Sequence, residues 1–173
     1  IAHDAGWQWQ IPLQHRVGNG LVYASAHLSD DAALDRLKGR LEGEMLTEPR
    51  VIRFRTGTRA KAWNRNCIAI GLSSGFVEPL ESTSIHLIMI AVTRLMQLFP
   101  FDGVTAALAD RFNQLSRTEL EGIRDFIILH YHLNAREGEP FWDGCRALDL
   151  PESLASRIAL FRESATAFQA SDE

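Results

Sequence analysis

Cysteine is nearly absent from this 173-residue chain: Cys67 and Cys145 are the only two, and they stand far apart. No CxxC, HExxH or similar ligand spacing accompanies them, which excludes a zinc module and a disulfide framework. The two thiols are expected as small buried residues of a reducing compartment. His130 and His132 lie two apart, on different faces of a helix, so they form no ligand pair and no metal is expected. Lysine is as scarce, with only Lys38 and Lys61. There is no G-x-G-x-x-G turn to cradle a dinucleotide pyrophosphate. No apolar run reaches the roughly 20 residues of a membrane-spanning helix. The best candidate, Ile85 to Phe99, is interrupted by His86, Arg94 and Gln97. A net charge of −4 gives no basic footprint for nucleic acid or an anionic membrane surface. The chain opens on Ile1 without a signal peptide, and the expectation is a fragment of a longer, cytoplasmic protein.

What is present is an ordinary globular composition, 46% hydrophobic and 23% charged, enough for one domain with a sizeable core. Gly6 to Leu13 alternates apolar and polar residues and reads as a half-buried strand, with Pro12 at an edge or at its end. His15 to Gly20 is a turn cluster, and Leu21 to Ala26 completes a β-hairpin. Ser29, Asp30 and Asp31 offer N-caps for a helix bearing Leu34, Leu37 and Leu41. Val51 to Thr56 alternates again, predicting a strand, and a basic turn leads through Trp63 to a buried strand at Cys67 to Ile70.

The character then changes. Ile85 to Phe99 is apolar on nearly every side, which predicts a buried helix stopped by Pro100. Ser116-Arg117-Thr118-Glu119 has capping-box spacing and predicts the start of a long helix through Tyr131. Ala135 to Pro140 is a polar break, Phe141-Trp142 opens a short segment, and Leu154, Ile158, Phe161 and Ala165 mark a last helix before a frayed tail, Gln169 to Glu173. Strands come first and helices after, an α+β pattern with a mostly helical C-terminal half.

The stretch from Asn66 to Ile90 carries the chemistry. A short apolar run ends at Gly71, a second glycine comes at Gly75, and Glu78-Pro79-Leu80-Glu81-Ser82-Thr83-Ser84 leads into the apolar helix. A helix start presents unpaired N–H groups and the positive end of the macrodipole, which suit an anion, and Glu81 sits beside it. A carboxylate enclosed by apolar neighbours can act as a base near neutral pH. The blander account is an ordinary first-turn carboxylate and simple N-capping. Gly71 and Gly75 are explained equally well by close approach to a ligand or by tight turns.

Two strings are more specific: Trp7-x-Trp9-x-Ile11-Pro12, and Gly71-x-x-x-Gly75-Phe76-Val77-Glu78-Pro79-Leu80-Glu81-Ser82-Thr83-Ser84-Ile85. Both resemble the signatures of the flavin-dependent halogenases, the tryptophan halogenase family. Phe54-Arg55-Thr56-Gly57 and Trp63-Asn64-Arg65-Asn66 are similar to that family too, and the resemblance runs from Gly6 to about Trp142. It implies the C-terminal part of a FAD-dependent, Rossmann-like fold of the two-component monooxygenase type. Residues 1–84 would belong to the flavin and substrate module, and residues 85–173 to a helical region contributing to the substrate pocket. The family's N-terminal FAD-binding segment and its lysine would lie outside this chain, which alone is expected to be inactive.

The resemblance also implies roles. Glu81 would orient the oxidant or take the ring proton. Gly71, Gly75, Phe76 and Ser82 would face the flavin, and the backbone at Thr83 and Ser84 would seat chloride or bromide. His130, Tyr131, Glu137, Phe141 and Trp142 would form the substrate wall, with Phe141-Trp142 stacking on an indole. His130 replaces a tyrosine of tryptophan-specific members, which leaves room for indole or another electron-rich aromatic. Trp7, Trp9, Ile11 and Pro12 would shape the site and disfavour direct oxygenation, although two tryptophans on one strand face usually mean core packing. Reduced FAD would come from a transient flavin reductase, and a homodimer stays open. The rival readings are a related flavin monooxygenase and a non-catalytic helical interaction module.

Overall fold

The computed structural model describes residues 1–165; the tail at Gln169 to Glu173 lies outside them. The chain divides into two compact units, 1–53 with 130–149, and 54–129 with 150–173.

The first unit is built on a three-stranded antiparallel sheet, β1 (Ala2–His3), β2 (Gly6–Pro12) and β3 (Val17–Tyr23), in the order β1-β2-β3. Trp7 pairs with Val22 and Trp9 with Gly20. Pro12 ends β2, where its missing N–H costs least. The turn is shorter than the sequence suggests: β3 already resumes at Val17. The buried face of β2 is also the unexpected one. Gln8 is buried while Trp7 and Trp9 are half-buried. Gln8 tolerates this because its amide oxygen meets His3 Nε2 at 3.1 Å and its backbone pairs with Ile1. Helix α1 (Asp30–Lys38) starts as expected at Ser29, whose hydroxyl accepts from the Ala32 N–H at 3.3 Å. It contributes Ala33 to a core with Ala5 and Leu28, against which Leu21, Tyr23 and Phe141 pack. The predicted strand at 51–56 is absent, and those residues are exposed. With no partner strand to pair with, an alternating pattern alone does not make a strand. Helix α4 (Pro140–Ala147) opens with proline at its first position, where its fixed φ suits a helix.

The second unit holds two short antiparallel pairs, β4 (Gly57–Thr58) with β7 (Gly75–Phe76), and β5 (Trp63–Asn64) with β6 (Cys67–Ile68). The expected buried strand at Cys67 is only this two-residue arm, and Cys67 is exposed, while Cys145 in the first unit is half-buried. The core centres on Trp63, Phe112 and Ala91. Trp63 and Phe112 meet edge-on with centroids 5.6 Å apart. Asn113 brackets the Trp63 backbone, its Oδ1 accepting from the Trp63 N–H at 2.7 Å and its amide donating to the Trp63 carbonyl at 2.9 Å.

Helix α3 (Ala106–His132) begins ten residues before the predicted capping box, at Thr105, whose hydroxyl accepts from the Leu108 N–H at 3.3 Å. Ala106 to Leu115 is rich in good helix formers, three alanines, two leucines, Arg111 and Gln114, so the helix runs straight through Ser116. Helix α5 (Glu152–Glu163) buries Leu154, and Ser153 donates to the buried Asp125 carboxylate of α3 at 2.5 Å.

Helix α2 (Thr83–Gln97) forms where expected but is not buried: Ala91 alone is enclosed, whereas Ile85, Met89 and Met96 are exposed. Besides the core that Ala91 shares with Phe112, it is tied to α3 by polar contacts. Glu119 bridges two residues of α2, meeting His86 Nε2 at 2.6 Å and accepting from Arg94 at 2.6 Å. Burial pushes the Glu119 carboxyl up, yet the hydrogen bonds from His86 and Arg94 outweigh it and hold the group below its ordinary range. Before α2, a 3₁₀ turn (Gly71–Ser73) places Gly71 at φ +61°, and a Cβ there would stand 2.5 Å from Ile88 Cγ1.

This packing has two measurable consequences. Gly71→Ala should cost about 1–3 kcal/mol in chemical denaturation, through left-handed strain and the Ile88 collision. Gly122→Ala, in the open middle of α3, should stabilise by about 1 kcal/mol; equal effects of the two would contradict the assignment. Because the Glu119 carboxyl is depressed in the fold, its contribution is present above the ordinary value of 4.5 and is lost as pH falls through the folded value. The stability gap between the natural chain and Glu119→Gln should therefore shrink on acidification below about pH 4.5. A gap independent of pH would contradict the clamp.

Candidate functional site

The residues singled out by the sequence fall into two groups, one in each unit. In the second unit, Gly71, Gly75, Phe76, Glu81, Ser82, Thr83 and Ser84 lie within one short run that ends at the start of α2. Its most unusual feature is backbone geometry. Glu81 (φ 52°) and Ser82 (φ 56°) are consecutive non-glycine residues in the left-handed region. Each such residue costs on the order of 1 kcal/mol, and strain of this kind persists only where the surroundings impose it. Ser82 is the N-cap of α2 but gives no side-chain capping bond. The Thr83 N–H turns back to the Leu80 carbonyl. The next N–H groups of the first turn have no carbonyl partner inside the helix, as at any helix start, and a left-handed residue succeeded by a right-handed one forms a concave nest of N–H groups suited to an anion.

Glu81 itself is exposed, so the expected enclosure by apolar neighbours is not supplied within these residues.

The glycines have internal explanations. A Cβ on Gly75 would lie 3.0 Å from Leu120 Cδ2 and 3.2 Å from the Gly57 carbonyl, just as one on Gly71 would strike Ile88. Both are small because the chain packs on itself there. Phe76 meets Phe54 edge-on at 5.3 Å. Leu72, between the glycines, is exposed.

In the first unit the structure brings together the aromatic set. Tyr131 stacks on Trp142 with centroids 5.6 Å apart and planes 20° from parallel. Phe141 meets Trp142 edge-on at 4.9 Å and Tyr131 at 6.1 Å. Trp142 is 6% exposed and donates from Nε1 to the His3 carbonyl at 2.5 Å, with the Arg136 guanidinium 6.0 Å from its ring centroid. It is a core residue of this unit. Phe141 and Tyr131 are half-buried, and His130 and Glu137 are exposed. Trp7 donates from Nε1 to the Tyr131 hydroxyl at 2.8 Å. Trp9 instead lies over its cross-strand partner Gly20, where a Cβ would come within 2.3 Å of the indole. Ile11 and Pro12 lie exposed at the end of β2.

Sequence reasoning missed the supports. Glu119, His86 and Arg94 hold α2, and the visible signal was a His and an Arg eight residues apart, two turns along one face, in an otherwise apolar helix. Arg136 was missed as well. Its hydrogen bond to Glu139 holds that carboxyl below its ordinary range and fixes the guanidinium near Trp142. Among the described residues no group of three His, Cys, Asp or Glu side chains could hold a metal ion, and no helix is long and apolar enough to cross a membrane.

Comparison with known proteins matches this geometry to one family. The tryptophan halogenase family model matches residues 1–173. Tryptophan 7-halogenase KtzQ of Kutzneria sp. (strain 744) is 37% identical over 163 residues, covering 94% of this chain and 31% of its own length. Among solved structures, BrvH, a flavin-dependent halogenase from Brevundimonas sp. BAL3, superposes with a TM-score of 0.89 at 57% identity, covering 92% of this chain and 32% of BrvH. Xcc4156, a flavin-dependent halogenase from Xanthomonas campestris, gives a TM-score of 0.89 at 46% identity over 93% of this chain and 32% of its own. The chain thus spans about a third of the length of the relatives it matches. With the family model matching its whole length, the chain belongs to the tryptophan halogenase family.

Proposed function

We propose that this chain forms part of the site of an FAD-dependent halogenase acting on an electron-rich aromatic such as tryptophan or indole. The observation that carries the reading is the left-handed Glu81–Ser82 pair at the start of α2, in a family-specific sequence. It sets a carboxylate beside a helix start whose N-cap supplies no side-chain hydrogen bond of its own.

A halide fits that helix start. It needs N–H donors and positive potential rather than particular side chains. The Thr83 N–H is taken by the Leu80 carbonyl, so within the Thr83–Ser84 backbone the N–H of Ser84 is the donor that would face the halide. The fit to FAD is partial. The loop from Gly71 to Phe76 offers a wall for a flavin ring, and the exposed Leu72, rather than the glycines, is the side chain a ring would meet. Ser82 would face the same ring. The sequence has no G-x-G-x-x-G turn to grip a pyrophosphate, and that role would belong to the part of the relatives' length that this chain does not span. When bound, reduced FAD would supply two of the four electrons that reduce O₂ and the halide the other two, giving hypohalous acid and water, and a separate reductase would deliver the reduced flavin.

Glu81 acts after the oxidant is formed. Electrophilic attack on an aromatic ring leaves a proton on the substituted carbon, and a carboxylate beside the ring accepts it or orients the oxidant. Within the first unit, Phe141 and Tyr131 would offer ring contacts to an aromatic substrate and His130 and Glu137 polar ones, with Trp142 supporting Tyr131 and Phe141 from behind. The chain works in the cytoplasm, where a reductase can supply reduced flavin.

Incubating the complete protein with a flavin reductase, FAD, bromide and indole should give a brominated product by mass spectrometry. A hydroxylated product with no bromination would favour a related monooxygenase and contradict the proposal. The isolated 173-residue chain should neither retain FAD at full strength nor turn over; either behaviour would show that the phosphate grip is not needed.

A further inference from the structure

We propose that Trp7 is a positioning residue for the aromatic substrate, acting through Tyr131, so that the Trp-x-Trp-x-Ile-Pro motif tunes the substrate wall. This rests on the halogenase reading.

The geometry is a closed circuit within the first unit. The Trp7 Nε1–H donates to the Tyr131 hydroxyl oxygen at 2.8 Å, across 124 residues of sequence. The Tyr131 ring stacks on Trp142 at 5.6 Å. The Trp142 Nε1–H donates to the His3 carbonyl at 2.5 Å. His3 pairs with Gly6, and Ala2 with Trp7, in the β1–β2 ladder. Two neighbouring strands therefore hold the stacked Tyr131–Trp142 pair by one hydrogen bond to each ring. Phe141 closes edge-on against both rings.

The two tryptophans of the motif have different tasks. Trp9 covers Gly20 and stabilises the hairpin on which it sits. Trp7 reaches out of the sheet to another part of the chain. Hydrophobic burial places a ring but does not fix its position closely, whereas the N–H to hydroxyl bond pins the Tyr131 oxygen and so χ1, and the stack on Trp142 holds the ring plane. The Tyr131 and Trp142 planes and the edge presented by Phe141 are thereby held together. A substrate ring resting on this wall takes its orientation from them. That orientation decides which ring carbon faces the oxidant, since small displacements of a bound substrate change reaction geometry strongly.

The test uses Trp7→Phe, Tyr131→Phe and the double variant in the complete protein, with indole and bromide. Each keeps an aromatic ring and removes one end of the bond. Each single change should raise KM for indole about fivefold, the factor carried by one hydrogen bond of about 1 kcal/mol, and should broaden the distribution of brominated regioisomers. The double variant should be no worse than either single one, because both remove the same bond. KM for bromide should not move. A fall confined to kcat, with KM and regioisomers unchanged, marks a structural role and overturns the proposal, as do multiplicative effects in the double variant. In the complete protein, Tyr131→Phe should shift the indole N–H resonance of Trp7 while leaving that of Trp63 in place; an unmoved Trp7 resonance overturns the proposal irrespective of turnover. A natural protein that fails to brominate indole, while the Trp7 resonance responds, sinks the halogenase reading and leaves the Trp7–Tyr131 linkage standing.

Discussion

Two left-handed residues in succession, Glu81 and Ser82, set the terms for the second unit. Neither is glycine, so both hold conformations that cost free energy and must be imposed by the helix they lead into. That helix, α2, is tied to α3 by Glu119 between His86 and Arg94 and packed through Ala91 onto the Trp63–Phe112 core. The clamp at His86 lies within the first turn and a half of the helix, close enough to fix where its leading N–H groups point. The strained pair leads directly into that first turn, with Glu81 exposed. Anion seat and carboxylate are one structural decision: relaxing either residue to right-handed geometry would move both.

The first unit makes its aromatic wall in another way. There the fixed points are ladder and side-chain hydrogen bonds, from Trp7 to Tyr131 and from Trp142 to His3, with ring contacts filling the space between. Trp142 is too enclosed to give much of its own surface to a ligand, so its contribution is to back Tyr131 and Phe141. Arg136, held by Glu139, adds a fixed charge near the indole.

Much of this was legible in the sequence. Motif strings located the two site regions, the alternation located the hairpin, and Ser29 marked the start of α1, because each of these depends on neighbours close in sequence. The failures were non-local. Ser116 to Glu119 has the composition of a capping box, but a box works only where a helix begins, and Thr105 had already begun it. Residues 51–56 alternate without a strand to pair with. Helix α2 is apolar enough to be buried, yet hydropathy says only that a surface favours cover and not what covers it. Glu81 was expected within an apolar enclosure on the same grounds and is exposed. The Glu119 clamp joins residues 25 and 33 positions apart, which no local pattern reveals.

The measurement that bears most directly on the account is turnover of the complete protein carrying Glu81→Gln, with hypobromous acid release monitored in parallel. The side chain keeps its size and its left-handed backbone but loses its charge. The account predicts that aromatic bromination falls by about 100-fold or more, the scale of a lost general base, while bromide-dependent oxidant is still formed. Bromination at the natural rate would remove the carboxylate from the chemistry and contradict the central claim.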